Sequence, residues 1–178
     1  MNKKLYCYIF IVNAIIRLAF TIISVQESML LAIYCCITAA LYTVLTEVLR
    51  SDKHPKLCFN ICFIEVLVFG SNGIIVYGNG CGFILLLLSL IPITSYVLYK
   101  SGHFSNKGVY VYDMINAVVA VVFPIIGLLT EPLIEISHTV RFIIYTLNLM
   151  LSTILITLFD IMFTIGNKRE HDRLAELK

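Results

Sequence analysis

Six apolar segments, separated by short polar stretches, make up most of the chain. Each is near the length of about 20 residues with which an α-helix crosses the hydrocarbon core of a bilayer. Backbone polar groups in lipid must be hydrogen-bonded within the protein, so long apolar runs of this kind predict helices. The pattern therefore predicts an all-α fold, a polytopic membrane bundle of six transmembrane helices. The segments cover residues 5–24, 28–48, 58–77, 83–99, 109–129 and 138–166.

The last apolar segment continues into a charged stretch without an intervening proline. Residues 167–178 read NKREHDRLAELK and consist mostly of good helix formers. We therefore predict a transmembrane domain over 1–166 and a cytoplasmic linker helix over 167–178, the second being an extension of the sixth helix. We also expect a homodimer formed through this last helix.

Glycines interrupt the apolar pattern in and after the third segment. The stretch Gly70-Ser71-Asn72-Gly73 predicts a weakened outer half of the third helix, because glycine is a poor helix former. The stretch Gly78-Asn79-Gly80-Cys81-Gly82 predicts a turn that leads into the fourth helix.

The composition excludes an ordinary soluble domain. Hydrophobic residues make up 60% of the chain and charged residues 13%, and the mean hydropathy is +0.93. Soluble domains carry about 25% charged residues, so this chain has too few charges to cover a water-facing surface. The expected partner is the lipid bilayer, and the expected location is a cell membrane that the chain crosses several times.

The positions of the basic residues predict the orientation, because cytoplasmic loops of membrane proteins are enriched in Lys and Arg. With the N-terminus in the cytoplasm, eleven of the 13 basic residues fall on the cytoplasmic side. The other two, Arg17 and Arg141, lie within apolar segments, and the outer loops carry Glu27, Glu131 and Glu135. Both termini are therefore predicted to be cytoplasmic.

Ionisable residues at bilayer depth are costly and face the interior of a bundle or a cavity. Arg17 and Glu65 lie at depths that a long arginine side chain can bridge, so we predict an ion pair, with Asn13 one turn from Arg17. Such a pair serves either as a structural clamp or as part of a site for a small ligand. Asp113, which can form a polar cluster with Asn116, and Asp160, which can meet Lys168, are candidate signal-coupling residues.

The sequence contains no catalytic, metal-binding or nucleic-acid-binding motif. His54 and Cys58 have the i, i+4 spacing that brings an imidazole to a thiol, but Pro55 lies between them. The six cysteines suggest buried thiols rather than a disulfide framework. We expect no enzyme activity within these residues, no cofactor, no metal and no nucleic-acid partner.

One part of the chain resembles a known family. Glu65 within a helix, followed by a glycine-rich turn that ends in Gly82-Phe83, resembles the N-terminal membrane modules of bacterial diguanylate cyclases (GGDEF proteins). The tail REHDRLAELK is similar to the linker helix that feeds a GGDEF or histidine-kinase domain. The resemblance implies a sensory and anchoring module in a bacterial inner membrane. The cytoplasmic output domain would be absent from this chain.

The sequence therefore leaves two candidate functions. The first is a signal-transduction module that passes a signal through its last helix to a cytoplasmic output domain. The alternative is a small transport component, such as the substrate-binding subunit of an importer. That alternative predicts an outward-facing cavity lined by Arg17, Glu65, Asn72 and Asn148, and both functions allow an unknown small ligand.

Overall fold

A computed structural model of the chain describes residues 3–25, 29–51, 54–101 and 105–176. Within these residues the fold consists of helices and connecting turns, without a β-strand, so the predicted all-α class is confirmed. A single 3₁₀ turn, Asn79–Cys81, connects the third and fourth helices. The six α-helices are α1 Lys3–Ser24, α2 Met29–Arg50, α3 Pro55–Tyr77, α4 Phe83–Ser101, α5 Asn106–Leu129 and α6 His138–Glu176.

Among the described helices, four contain a segment long and apolar enough to cross a membrane. The apolar parts of α1 and α4, Ile9–Ser24 and Phe83–Tyr96, are shorter. Large apolar side chains such as Ile22, Leu128 and Phe142 are exposed on the helices, as expected of surfaces that lipid covers. The four segments are Leu31–Arg50, Lys56–Tyr77, Lys107–Leu129 and His138–Lys168.

Serine side chains cap two of the helices at their N-termini. Ser105 Oγ accepts a hydrogen bond from Gly108 N at 3.2 Å where α5 begins. Ser137 Oγ accepts one from Val140 N at 3.3 Å where α6 begins. Such caps satisfy amide groups that have no partner within the first helical turn. They therefore fix the points at which the chain leaves the preceding loops.

The chain divides into two compact units. Unit 1 comprises Met1–Phe69 and Ile134–Val140, and unit 2 comprises Gly70–Leu133 and Arg141–Lys178. The interior of unit 1 contains the fully buried Phe10, Cys35, Tyr42 and Leu49, and that of unit 2 contains Ile74, Phe83, Leu87 and Ile144. The predicted division at residue 166 is of another kind, between membrane and cytoplasm, and it stays a prediction.

Glycines in α3 allow close packing against α4. α3 continues without a break through Gly70 and Gly73 to Tyr77, and the predicted weakening of its outer half stays a prediction. A Cβ atom on Gly73 would lie 2.4 Å from Cδ1 of Phe83, and one on Gly70 would lie 2.6 Å from Cδ2 of Leu87. The absence of a side chain at these two positions is what lets the buried Phe83 and Leu87 approach the helix.

The sixth helix is much longer than the membrane is thick. It contains 39 residues, which corresponds to about 58 Å at 1.5 Å per residue. The hydrocarbon core of a bilayer measures only about 30 Å. The helix passes residues 166 and 167 without a break, so the prediction that the last apolar segment extends into a charged helix is confirmed.

Candidate functional site

The buried ion pair predicted between Arg17 and Glu65 is present in unit 1. Arg17 of α1 donates from Nη2 to Glu65 Oε2 of α3 at 2.7 Å. The two side chains are only 3% and 6% exposed. A charge at this level of burial is tolerated only when a partner compensates it. The pair therefore joins two helices that lie far apart in the sequence.

Two tyrosines of α2 complete the coordination of the Glu65 carboxylate. Tyr42 donates to Oε2 at 2.5 Å, and Tyr34 donates to Oε1 at 3.3 Å. The Cys62 thiol lies 3.8 Å from the Tyr42 hydroxyl oxygen. Neither tyrosine was among the predicted site residues. Because both carboxylate oxygens accept hydrogen bonds from the protein itself, the arrangement favours a structural clamp of α1, α2 and α3.

An aromatic side chain covers the arginine. The guanidinium carbon of Arg17 lies 3.3 Å from the centroid of the Phe69 ring, a distance at which a cation is attracted to the ring face. Phe69 in turn packs against Phe20 and Tyr34, at 5.2 Å and 6.5 Å between ring centroids. One atom of the guanidinium, Nε, is buried and has no hydrogen-bond partner among the described residues.

The candidate polar site residues, which are the ion pair with Asn13 and the predicted cavity residues Asn72 and Asn148, do not belong to a single unit. Asn13 lies in unit 1 with Arg17 and Glu65, but its side chain donates to Ile9 O of its own helix at 2.9 Å. Asn72 and Asn148 belong to unit 2. The side chain of Asn72 is exposed, whereas that of Asn148 is fully buried.

The glycine turn, residues 78–82, is docked on the sixth helix. Asn148 donates from Nδ2 to Cys81 O at 2.8 Å. Gly82 has a φ of 75°, and a Cβ atom there would lie 3.0 Å from Cδ2 of Tyr145. A side chain at residue 82 would therefore be strained and would also press on α6. The turn was identified from its glycines, but its contact with Asn148 was not predicted.

The same turn is also fixed to α5. Asn79 donates from Nδ2 to Pro124 O at 2.9 Å. A Cβ atom on Gly127 would lie 3.2 Å from Oδ1 of Asn79 and 2.7 Å from Cγ2 of Ile74, so α5 approaches closely here. Two asparagine side chains thus hold the turn in place. Asn148 of α6 donates to the backbone of the turn, and Asn79 of the turn donates to the backbone of α5.

Cys81, in the middle of the turn, is fully buried. Burial raises the pKa of its thiol to about 11, although the positive charge of Arg141 acts in the opposite direction. The residue is therefore a neutral thiol at physiological pH, which is the less reactive form.

A second contact holds α6 at another level. Tyr96 of α4 donates from its hydroxyl to Met162 O at 2.7 Å. Its ring packs edge-on against Phe159 and Phe163, with centroids 5.9 Å and 6.3 Å away. These residues were not predicted. The i, i+4 spacing of the two phenylalanines is the one sequence signal that could have indicated an aromatic contact on this face.

The two candidate signal-coupling residues differ in their surroundings. Asp113 of α5 accepts a hydrogen bond at Oδ2 from the Oγ hydroxyl of Ser95 of α4, at 2.7 Å. It does not pair with Asn116, whose two side-chain polar atoms are buried without a partner among the described residues. The side chains of Asp160 and Lys168 are both exposed, and the structure shows no ion pair between these two described residues.

No family model matches the chain, and neither the curated proteins nor the solved structures gave a match. The similarity to the membrane modules of diguanylate cyclases therefore stays a prediction. Within the described residues, no group of three or more His, Cys, Asp or Glu side chains could hold a metal ion. Any inference about function therefore rests on the geometry of the chain itself.

Two fully buried asparagines provide a matched test of the turn contact. Asn148→Leu should lower the free energy of unfolding by about 1–2 kcal/mol, because Cys81 O would lose its donor. Asn116→Leu should leave it unchanged or raise it, because neither polar atom of Asn116 has a partner. The measurement is unfolding by sodium dodecyl sulfate in mixed micelles. Equal losses in the two variants would contradict a specific role for the bond to Cys81.

Proposed function

We propose that this chain is a membrane-embedded signal-input module whose output is a displacement of α6. The single observation that carries the proposal is the form of this helix. α6 continues from His138 to Glu176 and is about 28 Å longer than the hydrocarbon core of a bilayer is thick. The glycine turn and Tyr96, which both belong to unit 2, form hydrogen bonds with α6 at Asn148 and Met162.

The two hydrogen bonds to α6 suggest how a structural change in unit 2 would be transmitted to the cytoplasmic end of this helix. Asn148 and Met162 are 14 positions apart, which is about 21 Å along a helix. A stimulus that changes the position of the glycine turn or of Tyr96 would shift or rotate the whole of α6, because an α-helix moves nearly as a rigid body. The stimulus must bind two arrangements of the unit with different affinity for this to act as a switch.

The proposed topology has six spans with both termini in the cytoplasm. Its support is the distribution of Lys and Arg residues over alternate loops. The apolar parts of α1 and α4 are short, but tilting of neighbours, local bilayer thinning and snorkelling of flanking residues accommodate such a mismatch at modest cost. The resemblance of Glu65 and the glycine turn to the membrane modules of bacterial diguanylate cyclases also supports a sensory function.

A cysteine scan over residues 167–176 tests both the orientation and the use of α6. Each position is replaced in turn by cysteine, in a background in which the six native cysteines are alanine. A membrane-impermeant maleimide should label these positions from the cytoplasmic side only. Disulfide crosslinking in native membranes should give dimers at every third or fourth position, as a paired helix requires.

Two outcomes of the scan would overturn the proposal. Labelling from the outer side would place α6 in the opposite orientation. Crosslinks that are absent at all ten positions, or equally strong at all of them, would show that the helix does not pair along one face. A positive control is a cysteine at Gly80, which is exposed in the turn and should be labelled from the outer side.

A small transport component is the second candidate, and one observation favours it. Asn116 and Ser152 are buried in unit 2, and their side-chain polar atoms have no hydrogen-bond partner among the described residues. Such atoms are normally satisfied by water or a ligand. A screen of thermal stability against small metabolites tests this candidate: one class of compound should stabilise the protein strongly, and Asn116→Leu should abolish that stabilisation.

A further inference from the structure

A cleft in unit 2 is formed by three helices and contains one carboxylate. It has a volume of about 420 Å³ and is lined by residues of α4, α5 and α6. This volume lies within the range of about 300–1,000 Å³ that is typical of small-molecule sites. Its lining includes Asp113 together with the aromatic residues Tyr96, Tyr110, Phe159 and Phe163. We refer to it below as the aromatic cleft.

The carboxylate of Asp113 is only partly satisfied by the protein. Its Oδ2 atom forms the hydrogen bond with Ser95 Oγ. Its Oδ1 atom is buried and has no hydrogen-bond partner among the described residues. A buried polar atom without a partner is costly, so Oδ1 is the place in the cleft where a positively charged or hydrogen-bonding group would be stabilised most.

The remaining lining favours a cation with apolar substituents. Phe159 and Phe163 pack against each other, with centroids 5.8 Å apart, and both pack against Tyr96. The Tyr96 hydroxyl donates its hydrogen bond to Met162 O, so Tyr96 contributes its aromatic ring, rather than its hydroxyl, to the lining of the cleft. Aromatic faces attract organic ammonium groups, whereas a bare metal ion requires several oxygen ligands.

The described residues supply no cation to the cleft. The residues that line it include neither lysine nor arginine. Lys107 lies near the start of α5, but its side chain is exposed. Tyr110 is 69% exposed, which places it at the rim. The charge that compensates Asp113 is therefore missing from the described lining.

We propose that the aromatic cleft binds an organic ammonium cation. The ammonium group would contact Asp113 Oδ1, and its apolar substituents would lie against the rings of Tyr96, Phe159 and Phe163. This goes beyond the proposed signalling function, since binding requires no movement of α6. The cation can be a free molecule or the headgroup of a lipid such as phosphatidylcholine, since both carry a quaternary ammonium group with methyl substituents.

Isothermal titration with benzyltrimethylammonium, on the full chain in dodecyl maltoside, tests the site. We expect saturable binding to the unaltered protein. Asp113→Asn keeps the shape and the bond to Ser95 but removes the charge, and should weaken binding about tenfold or more. Phe163→Leu should weaken it several-fold through loss of one ring. Asp160→Asn is the matched control, a carboxylate on α6 whose side chain is exposed, and should bind like the unaltered protein.

Added lipid distinguishes the two sources of the cation. If a headgroup is the natural occupant, phosphatidylcholine should compete with the probe in the unaltered protein, and phosphatidylglycerol should not. If the occupant is a free cation, neither lipid should compete. Absence of saturable binding, equal affinity of Asp113→Asn and the unaltered protein, or an equal loss in Asp160→Asn would each overturn the proposal. Circular dichroism of every variant shows whether a loss of binding is only a loss of fold.

Discussion

Replacing Glu65 with leucine should lower the free energy of unfolding by about 3–5 kcal/mol, the largest loss expected of any single substitution described above. Arg17 would keep its burial of 97% and lose its only described counter-charge. The hydroxyl groups of Tyr34 and Tyr42 would lose their acceptor at the same time. The measurement is unfolding by sodium dodecyl sulfate in mixed micelles, followed by far-ultraviolet circular dichroism.

A double-mutant cycle separates the ion pair from its surroundings. Arg17→Leu alone should cost about as much as Glu65→Leu, since it leaves the opposite charge buried without a counter-charge. The double variant, Arg17→Leu with Glu65→Leu, should recover a large part of the loss, because no unpaired charge remains. The part that is not recovered reflects the two tyrosine hydroxyls. Additive losses in the double variant would contradict the ion pair.

The chain contains its own control for this experiment. Arg50 and Glu47 of α2 form an ion pair of similar length, 2.5 Å, but their side chains are 55% and 64% exposed. An exposed pair contributes about 0–1 kcal/mol, so Glu47→Leu should change the free energy of unfolding little. A loss at Glu47 as large as that at Glu65 would show that removal of a carboxylate, rather than its burial, determines the cost.

The helices and the ion pair could be predicted because the membrane restricts both strongly. A long apolar run in lipid has few alternatives to a helix, and the six predicted segments correspond to the six described helices. Charged residues at bilayer depth need partners, and Arg17 and Glu65 were the two at suitable depths. The tyrosines that share the Glu65 carboxylate gave no such signal, since Tyr34 and Tyr42 are as compatible with a lipid-facing or interfacial position.

The contacts that position the turn could not be predicted for a different reason. Asn148 donates to the backbone of Cys81, and Tyr96 donates to the backbone of Met162. Every residue has a carbonyl group, so a hydrogen bond to the backbone leaves no mark at the accepting position. Asn148 was predicted to line an outward-facing cavity, but its partner could be found only from the fold.

The two units treat their buried polar groups differently. In unit 1 the Glu65 carboxylate accepts three hydrogen bonds from Arg17, Tyr34 and Tyr42. In unit 2, Asn116 and Asp113 retain buried polar atoms without partners among the described residues. A satisfied network resists change, whereas unsatisfied atoms gain from a new contact. Although Arg17 Nε is also buried without a partner among the described residues, the contrast between the two carboxylates is consistent with a clamp at Glu65 and with the ligand site proposed at Asp113.

The glycines of α3 lead to the second large effect. Gly73→Ala should lower the free energy of unfolding by about 3 kcal/mol, at the upper end of the range for overpacking. A Cβ atom at this position would lie within 2.5 Å of three atoms of the Phe83 ring. Phe83 is itself fully buried, so the ring has little room to move away. Unfolding by sodium dodecyl sulfate measures the loss.

Two further variants show whether the Phe83 ring causes the loss. Phe83→Leu, introduced together with Gly73→Ala, should recover part of the stability, because the smaller side chain can turn away from the new methyl group. Gly80→Ala should have almost no effect, since residue 80 is exposed and meets only the flexible side chain of Arg141, at 3.3 Å. If Gly73→Ala were instead neutral or stabilising, as expected from helix propensity alone, then α3 and α4 would not pack closely at this point. The glycine turn between them would then lack the support that holds it against α6.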